Sequence, residues 1–202
     1  MIRTAAALAA LSLATVANAQ TPPGPTVVRG SVSAMTDAQL TIKTDKGPQV
    51  VALAPNWSVA VMKPVAIDAI QPGSFIGTTN VDKPDGTGTS TEIHVFPPGV
   101  RAGEGHYPWR GAAGSMMTNG DVTMVVTSAK GRELDIKYNG QGGAGVRHVV
   151  VPPGTPIVTF AAGDRSILKP GAQVLIFATT GPDGKLHAGG VTTGENGAAP
   201  PM

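Results

Sequence analysis

Residues 51–86, VALAPNWSVAVMKPVAIDAIQPGSFIGTTNVDKPDG, align without a gap on residues 149–184, VVVPPGTPIVTFAAGDRSILKPGAQVLIFATTGPDG. Val51 meets Val149 and Pro55 meets Pro153; Pro72-Gly73 meets Pro170-Gly171, and Pro84-Asp85-Gly86 meets Pro182-Asp183-Gly184. Two matching punctuation motifs at one shift mark a duplication. Leu40-Thr41-Ile42-Lys43 echoes Leu134-Asp135-Ile136-Lys137 at a slightly shorter shift, so a loop changed length between the copies. The period is far longer than that of a solenoid repeat, which points to a duplicated small domain.

Around that repeat the letters alternate with the period of two that a strand with one buried face requires. Val28, Gly30, Val32 and Ala34 share a face in the first copy, followed by Leu40 and Ile42. Val122, Met124 and Val126, then Leu134, Ile136 and Tyr138, do so in the second. VAIDAIQPG and GDRSILKPG each place an apolar pair before Pro-Gly, with Asp164 positioned to cap a single helical turn. Pro-Asp-Gly then supplies hairpin chemistry before the last strand. Five or six strands and one short helical turn in so few residues predict an all-β fold. The expected form is two tandem small OB-like β-barrel units, OB denoting the oligonucleotide/oligosaccharide-binding barrel. A unit that small buries a marginal core, so the two copies are expected to lean on each other.

The boundaries expected are a signal peptide at 1–19, a flexible N-terminal segment at 20–26, a first barrel at 27–99, an interdomain strap at 100–119, a second barrel at 120–193 and a disordered tail at 194–202. The leader reading rests on Arg3 ahead of an apolar run that ends in Ala17-Asn18-Ala19. That run is shorter than the roughly 20 residues a membrane span needs, and no second candidate follows it. The expected location is therefore periplasmic or secreted, with no transmembrane segment after cleavage. Zero cysteine excludes disulfides, thiolate catalysis and a lipid-modified cysteine. A formal charge of +2 with no basic cluster lacks the footprint of a nucleic-acid partner. Glycine at 27 and proline at 18 punctuate short apolar segments, as turns in an all-β chain do. Aromatic residues make up only 4% of the chain, so aliphatic side chains must fill the core.

The tandem units, the phrases GEGHYPW and GSMMTN between them, and VVVPPGTPIVTFAAGDRSILKPGA resemble small exported bacterial proteins related to the domain of unknown function 5666 family. The resemblance covers nearly the whole chain after the leader. It implies an exported β-barrel-like domain and carries no activity or ligand with it.

Candidate chemistry gathers around the strap. Glu92 and His94 lie two apart on one strand face, Glu104 and His106 two apart in the strap, and Met116 and Met117 follow. Imidazole with carboxylate suits zinc, copper or nickel, and thioether favours Cu(I). The alternative is that Glu92 and His94 sit on a solvated face and the methionines fill the gap between barrels. Tyr107, Pro108 and Trp109 offer a stacking platform for a sugar or peptide, with Trp57 as a second, or else Trp109 plugs the two barrels together. Ser115, His106 and Glu104 raise a hydrolytic triad without a nucleophile-elbow pattern, and Asp82, Asp85 and Glu92 raise a carboxylate pair. GQGGAG at 140–145 reads as a hairpin loop, since no helix follows it.

The reading that results is an exported non-catalytic binding or envelope-associated module. Its ligand-bearing residues would be Glu92, His94, Glu104, His106, Tyr107 and Trp109, and its partner a small molecule, a glycan or an envelope protein. The first reading needs no cofactor; the alternatives are a divalent transition metal held by His94, His106, Glu92 and Glu104, and an uncharacterised hydrolase.

Overall fold

The computed structural model describes residues 24–128 and 131–201, so the leader and residues 20–23 lie outside the described residues. Regular structure among the described residues is nearly all β: β1 Thr26–Met35, β2 Gln39–Thr44, β3 Gly47–Pro64, β4 Phe75–Asp82, β5 Gly88–Val95, β6 Gly105–Pro108, β7 Met116–Ser128, β8 Gly131–Gly140, β9 Gly143–Val151, β10 Ile157–Gly163, β11 Gln173–Thr180 and β12 Leu186–Gly194. Single 3₁₀ turns occupy Ile67–Ala69, Arg165–Ile167 and Glu195–Gly197. Asp164 caps the second of these as expected, its carboxylate accepting from Ser166 N–H at 2.7 Å. Both Pro-Asp-Gly turns are also side-chain-locked: Asp85 accepts from Thr87 N–H and Asp183 from Lys185 N–H. No helix among the described residues is long and apolar enough to cross a membrane.

Strand pairing closes two five-stranded circuits. In the first, β1 pairs β2, β2 pairs β3, β3 pairs β12, β12 pairs β11 and β11 returns to β1. In the second, β4 pairs β5, β5 pairs β9, β9 pairs β8, β8 pairs β7 and β7 returns to β4. Each barrel therefore takes three strands from one sequence repeat and its closing hairpin from the other. This corrects the boundaries 27–99 and 120–193: they delimit the repeat and not the barrels. The crossing occurs because β3 leaves its own barrel and pairs antiparallel with β10, after which Ile70 closes the second barrel and Leu168, its counterpart, the first. Met62 pairs with Phe160, its own counterpart under the repeat, so a pseudo-twofold axis runs between β3 and β10.

The cores confirm the exchange. Val32, Leu40, Ile42 and Val51 pack with Leu168, Val174, Ile176 and Val191; Val122, Leu134, Ile136 and Val149 pack with Ile70, Ile76 and Ile93. Met124 and Val126 are exposed, against the alternation expected, because a bulge shifts the register between Val122 and Met124 and hands the inward face to Val125. An equivalent bulge between Val32 and Ala34 turns Ala34 outward. Buried apolar residues outside both cores, namely Met62, Phe75, Met117, Val158 and Leu175, mark the seam where the barrels meet.

Both ends differ from expectation. β1 begins at Thr26, and Gly24 already accepts a hydrogen bond from Arg110 at 3.4 Å. The tail turns through Glu195–Gly197, bonds Gly194 N–H to Ala198 C=O, and buries Pro200, so 194–201 is packed onto the protein rather than disordered.

Candidate functional site

The strap is not a free linker. Its residues 105–108 form β6, which pairs with β7 through Gly105↔Asn119 to Pro108↔Met116, and Gln141 in the β8–β9 hairpin receives the His106 N–H. Beyond β6 the Trp109 N–H bonds to Ser115 C=O at 2.8 Å, folding 109–115 into a compact loop. The indole meets Phe177 on β11 of the other barrel, ring centroids 6.0 Å apart. Gly111 is required beneath it, since a Cβ there would come within 2.5 Å of the indole nitrogen. Trp109 thus touches the opposite barrel as a plug would, yet it is only half-buried, and one wall of a cavity explains why.

That cavity, about 400 Å³, lies between the barrels. Trp109 and Phe177 form one side; Phe96, Phe160 and His94 form another, with Tyr107, Met117 and Asn119 on the outer face of β6 and β7 completing it. The rings on the second side are in mutual contact, with His94 and Phe160 centroids 5.4 Å apart and Phe96 and Phe160 5.3 Å apart. Tyr107 is fixed by donating to Gly103 C=O and accepting from Asn119 at 3.0 Å, and burial pushes its phenol above the ordinary range. Arg110 stands at the rim.

Behind His94 lies a buried carboxyl group. Glu92 and His94 are 5% and 3% exposed, which overturns the solvated-face alternative: alternation put both outside their barrel, and the seam covers that outside. His94 Nε2 is 3.0 Å from Glu92 Oε1, without the alignment of a hydrogen bond, while Thr79 Oγ1 donates to the same oxygen. Arg29, on β1 of the other barrel, feels the Glu92 charge; burial lowers its pKa and Glu92 opposes that shift.

The remaining candidates point elsewhere. His106 turns into the end of the second barrel, its Nδ1 2.8 Å from Thr118 Oγ1, and Thr118 in turn accepts from Asn80, whose carbonyl takes Arg147. Glu104 accepts from Asn139 N–H and pairs with Arg101. Ser115 donates to Ala112 C=O at 2.7 Å, so the serine, histidine and acid of the suspected triad each hold a different partner. Asp82 pairs with Arg147, and Asp85 serves its turn, as the sequence suggests. Among the described residues no three His, Asp or Glu side chains are grouped to hold a metal ion; the four named for one divide into the Glu92–His94 couple and two residues engaged apart. Trp57 is no platform: it is 3% exposed in the first barrel core, with Arg165 stacked 4.3 Å over its ring.

His94, Tyr107 and Trp109 are therefore the expected residues that the fold brings to one cavity. Phe96, Phe160, Phe177 and Arg110 were missed. Phe177 carried a signal, being a large ring between Ile176 and Ala178, on the face opposite their inward side. Comparison with protein-family models, with curated proteins and with solved structures gives no match for this chain.

Proposed function

We propose that this chain is an exported, non-catalytic binding protein that holds a small ring-bearing molecule in the cavity between its barrels. One observation carries the reading. The chain has two tryptophans, two tyrosines and four phenylalanines, and Trp109, Tyr107, Phe96, Phe160 and Phe177 all line this cavity. Packing alone did not demand them there, since aliphatic side chains fill both barrel cores, Trp57 apart. Rigid rings give large contact area at small entropic cost, which favours recognition. The volume sits toward the small end of the roughly 300–1,000 Å³ usual for ligand sites, suited to one or two fused rings rather than an oligosaccharide. Export rests on the leader and on the resemblance to the exported 5666-type proteins.

The test is a thermal-shift screen of the mature protein against ring compounds, glycans and divalent cations. A ligand that binds only the folded state at about 100 times its Kd adds near 2.7 kcal/mol. Ring compounds should raise Tm, and Phe177→Ala should abolish the shift. A response confined to cations or glycans defeats the proposal, the former favouring the metal alternative. Trp57→Phe leaves Trp109 as the only indole, so its emission should change with the same compounds.

A further inference from the structure

The polar groups around the cavity differ in how well they are satisfied: among the described residues His94 Nε2 and Trp109 Nε1 are both buried without a hydrogen-bond partner, the first able to donate or accept according to its tautomer, the second only to donate. Among the described residues Arg110 hydrogen-bonds only the Gly24 carbonyl, at 3.4 Å. Among the other described arginines, Arg101 pairs with Asp121 and Glu104, Arg132 with Asp68 and Arg147 with Asp82, Arg165 stacks on the Trp57 ring, and Arg29 is exposed and does not line this cavity. Among the described residues no aspartate or glutamate lines the cavity. Glu92, behind His94, already accepts from Thr79.

A cavity walled by rings, with a free guanidinium at its rim and no carboxylate of its own, is complementary to a ring that carries a negative charge. Guanidinium recognises carboxylate through two parallel N–H bonds. We infer that the ligand is an aromatic carboxylate, its ring between Phe160 and the Trp109–Phe177 pair and its acid group on Arg110. This rests on the binding reading above and adds the anionic group to it.

Calorimetric titration of the mature full-length protein with two probe series tests it: trans-cinnamate, cinnamamide and cinnamylamine, and indole-3-acetate with indole-3-acetamide. Each acid should bind about tenfold or more tightly than its amide, equivalent to about 1.4 kcal/mol. Arg110→Gln should bring the acids down to the level of the amides and leave the amides unchanged. Because Arg110 touches only one backbone carbonyl, that variant is expected to fold, and its unaltered Tm checks this. Acids and amides binding alike, or the amine binding best, would overturn the carboxylate assignment while the cavity reading stood. Arg110→Gln weakening acids and amides equally would also overturn it, as a loss of shape rather than of charge. If none of the five compounds binds, both readings fall.

Discussion

A single added methyl group tests the barrel geometry most directly at Gly120. A Cβ there would lie 2.2 Å from Lys137 C=O, and its counterpart Gly30 faces Lys43 C=O at 2.1 Å. Both sit beside the bulges that bend the first strand of each repeat, where the backbones approach too closely for any side chain. Gly120→Ala should cost about 1–3 kcal/mol, the usual range for overpacking, read as a lower urea midpoint. His106 makes a second residue-scale prediction. Burial first, then the Arg147 charge, hold its pKa below the ordinary 6.5, with Asp82 opposing. As pH falls, the unfolded chain takes up this proton before the folded one does. Stability is thus on its plateau above pH 6.5 and declines as pH drops from 6.5 toward the folded value. His106→Gln should flatten that part of the profile of Tm against pH relative to the parent protein.

At the scale of elements, the two closing hairpins are not interchangeable. Ile176, Ala178 and Ala188 of β11–β12 pack with Val28 in the first core. Under the repeat their places in the second barrel fall to Thr78, Asn80 and Ser90 of β4–β5, packed with Thr118, all buried. These polar groups satisfy one another: Thr78 and Ser90 hydroxyls are 2.8 Å apart, and Asn80 donates to Thr118 at 3.0 Å and accepts from Arg147. A buried amide removed from such a network leaves partners unpaired, which costs about 1–3 kcal/mol. Asn80→Ala should destabilise by that amount in denaturant titration. Ala178→Asn, which buries an amide among aliphatic side chains, should destabilise at least as much, since no partner awaits it. Equal tolerance of both would mean the hairpins are generic plugs.

This element also shows where the letters run out. The strands, the capped turn at Asp164 and both Pro-Asp-Gly hairpins were readable, because propensity, alternation and turn chemistry act over a few residues. The exchange of hairpins was not, because either hairpin presents the same alternation to either barrel and only three-dimensional pairing tells them apart. The site divides along the same line. Tyr107 and Trp109 were legible as aromatics in a polar stretch, whereas Glu92 and His94 were assigned an outer face without any means of knowing that a second barrel covers it. His106 sat two residues from Glu104, yet β6 turns the two away from a common centre.

For the whole molecule, reciprocal exchange makes the halves mutually dependent, and the strap is where this can be tested. Residues 109–115 separate β6 from β7, so a protease site inserted between Ala113 and Gly114, which keeps Arg110 and Gly111, cuts the chain into β1–β6 and β7–β12 without removing a strand. Two barrels strung in tandem would part after such a cut into particles half the size. Here each barrel would still hold strands from both pieces, along β1–β11, β3–β12, β4–β7 and β5–β9, with β3–β10 joining them at the pseudo-twofold axis. The nicked protein should therefore elute from gel filtration at the size of the intact chain, with both fragments in one peak at equal stoichiometry. They should separate only in denaturant, at a midpoint that now falls on dilution, because the unfolding of a noncovalent pair depends on its concentration. Separation under native conditions would contradict the exchanged pairing and restore the tandem arrangement. The cavity follows the same logic: its walls come from both fragments, Trp109 and Phe96 from one and Phe160 and Phe177 from the other, so a nicked but associated protein should keep its affinity for ring compounds while neither isolated fragment does.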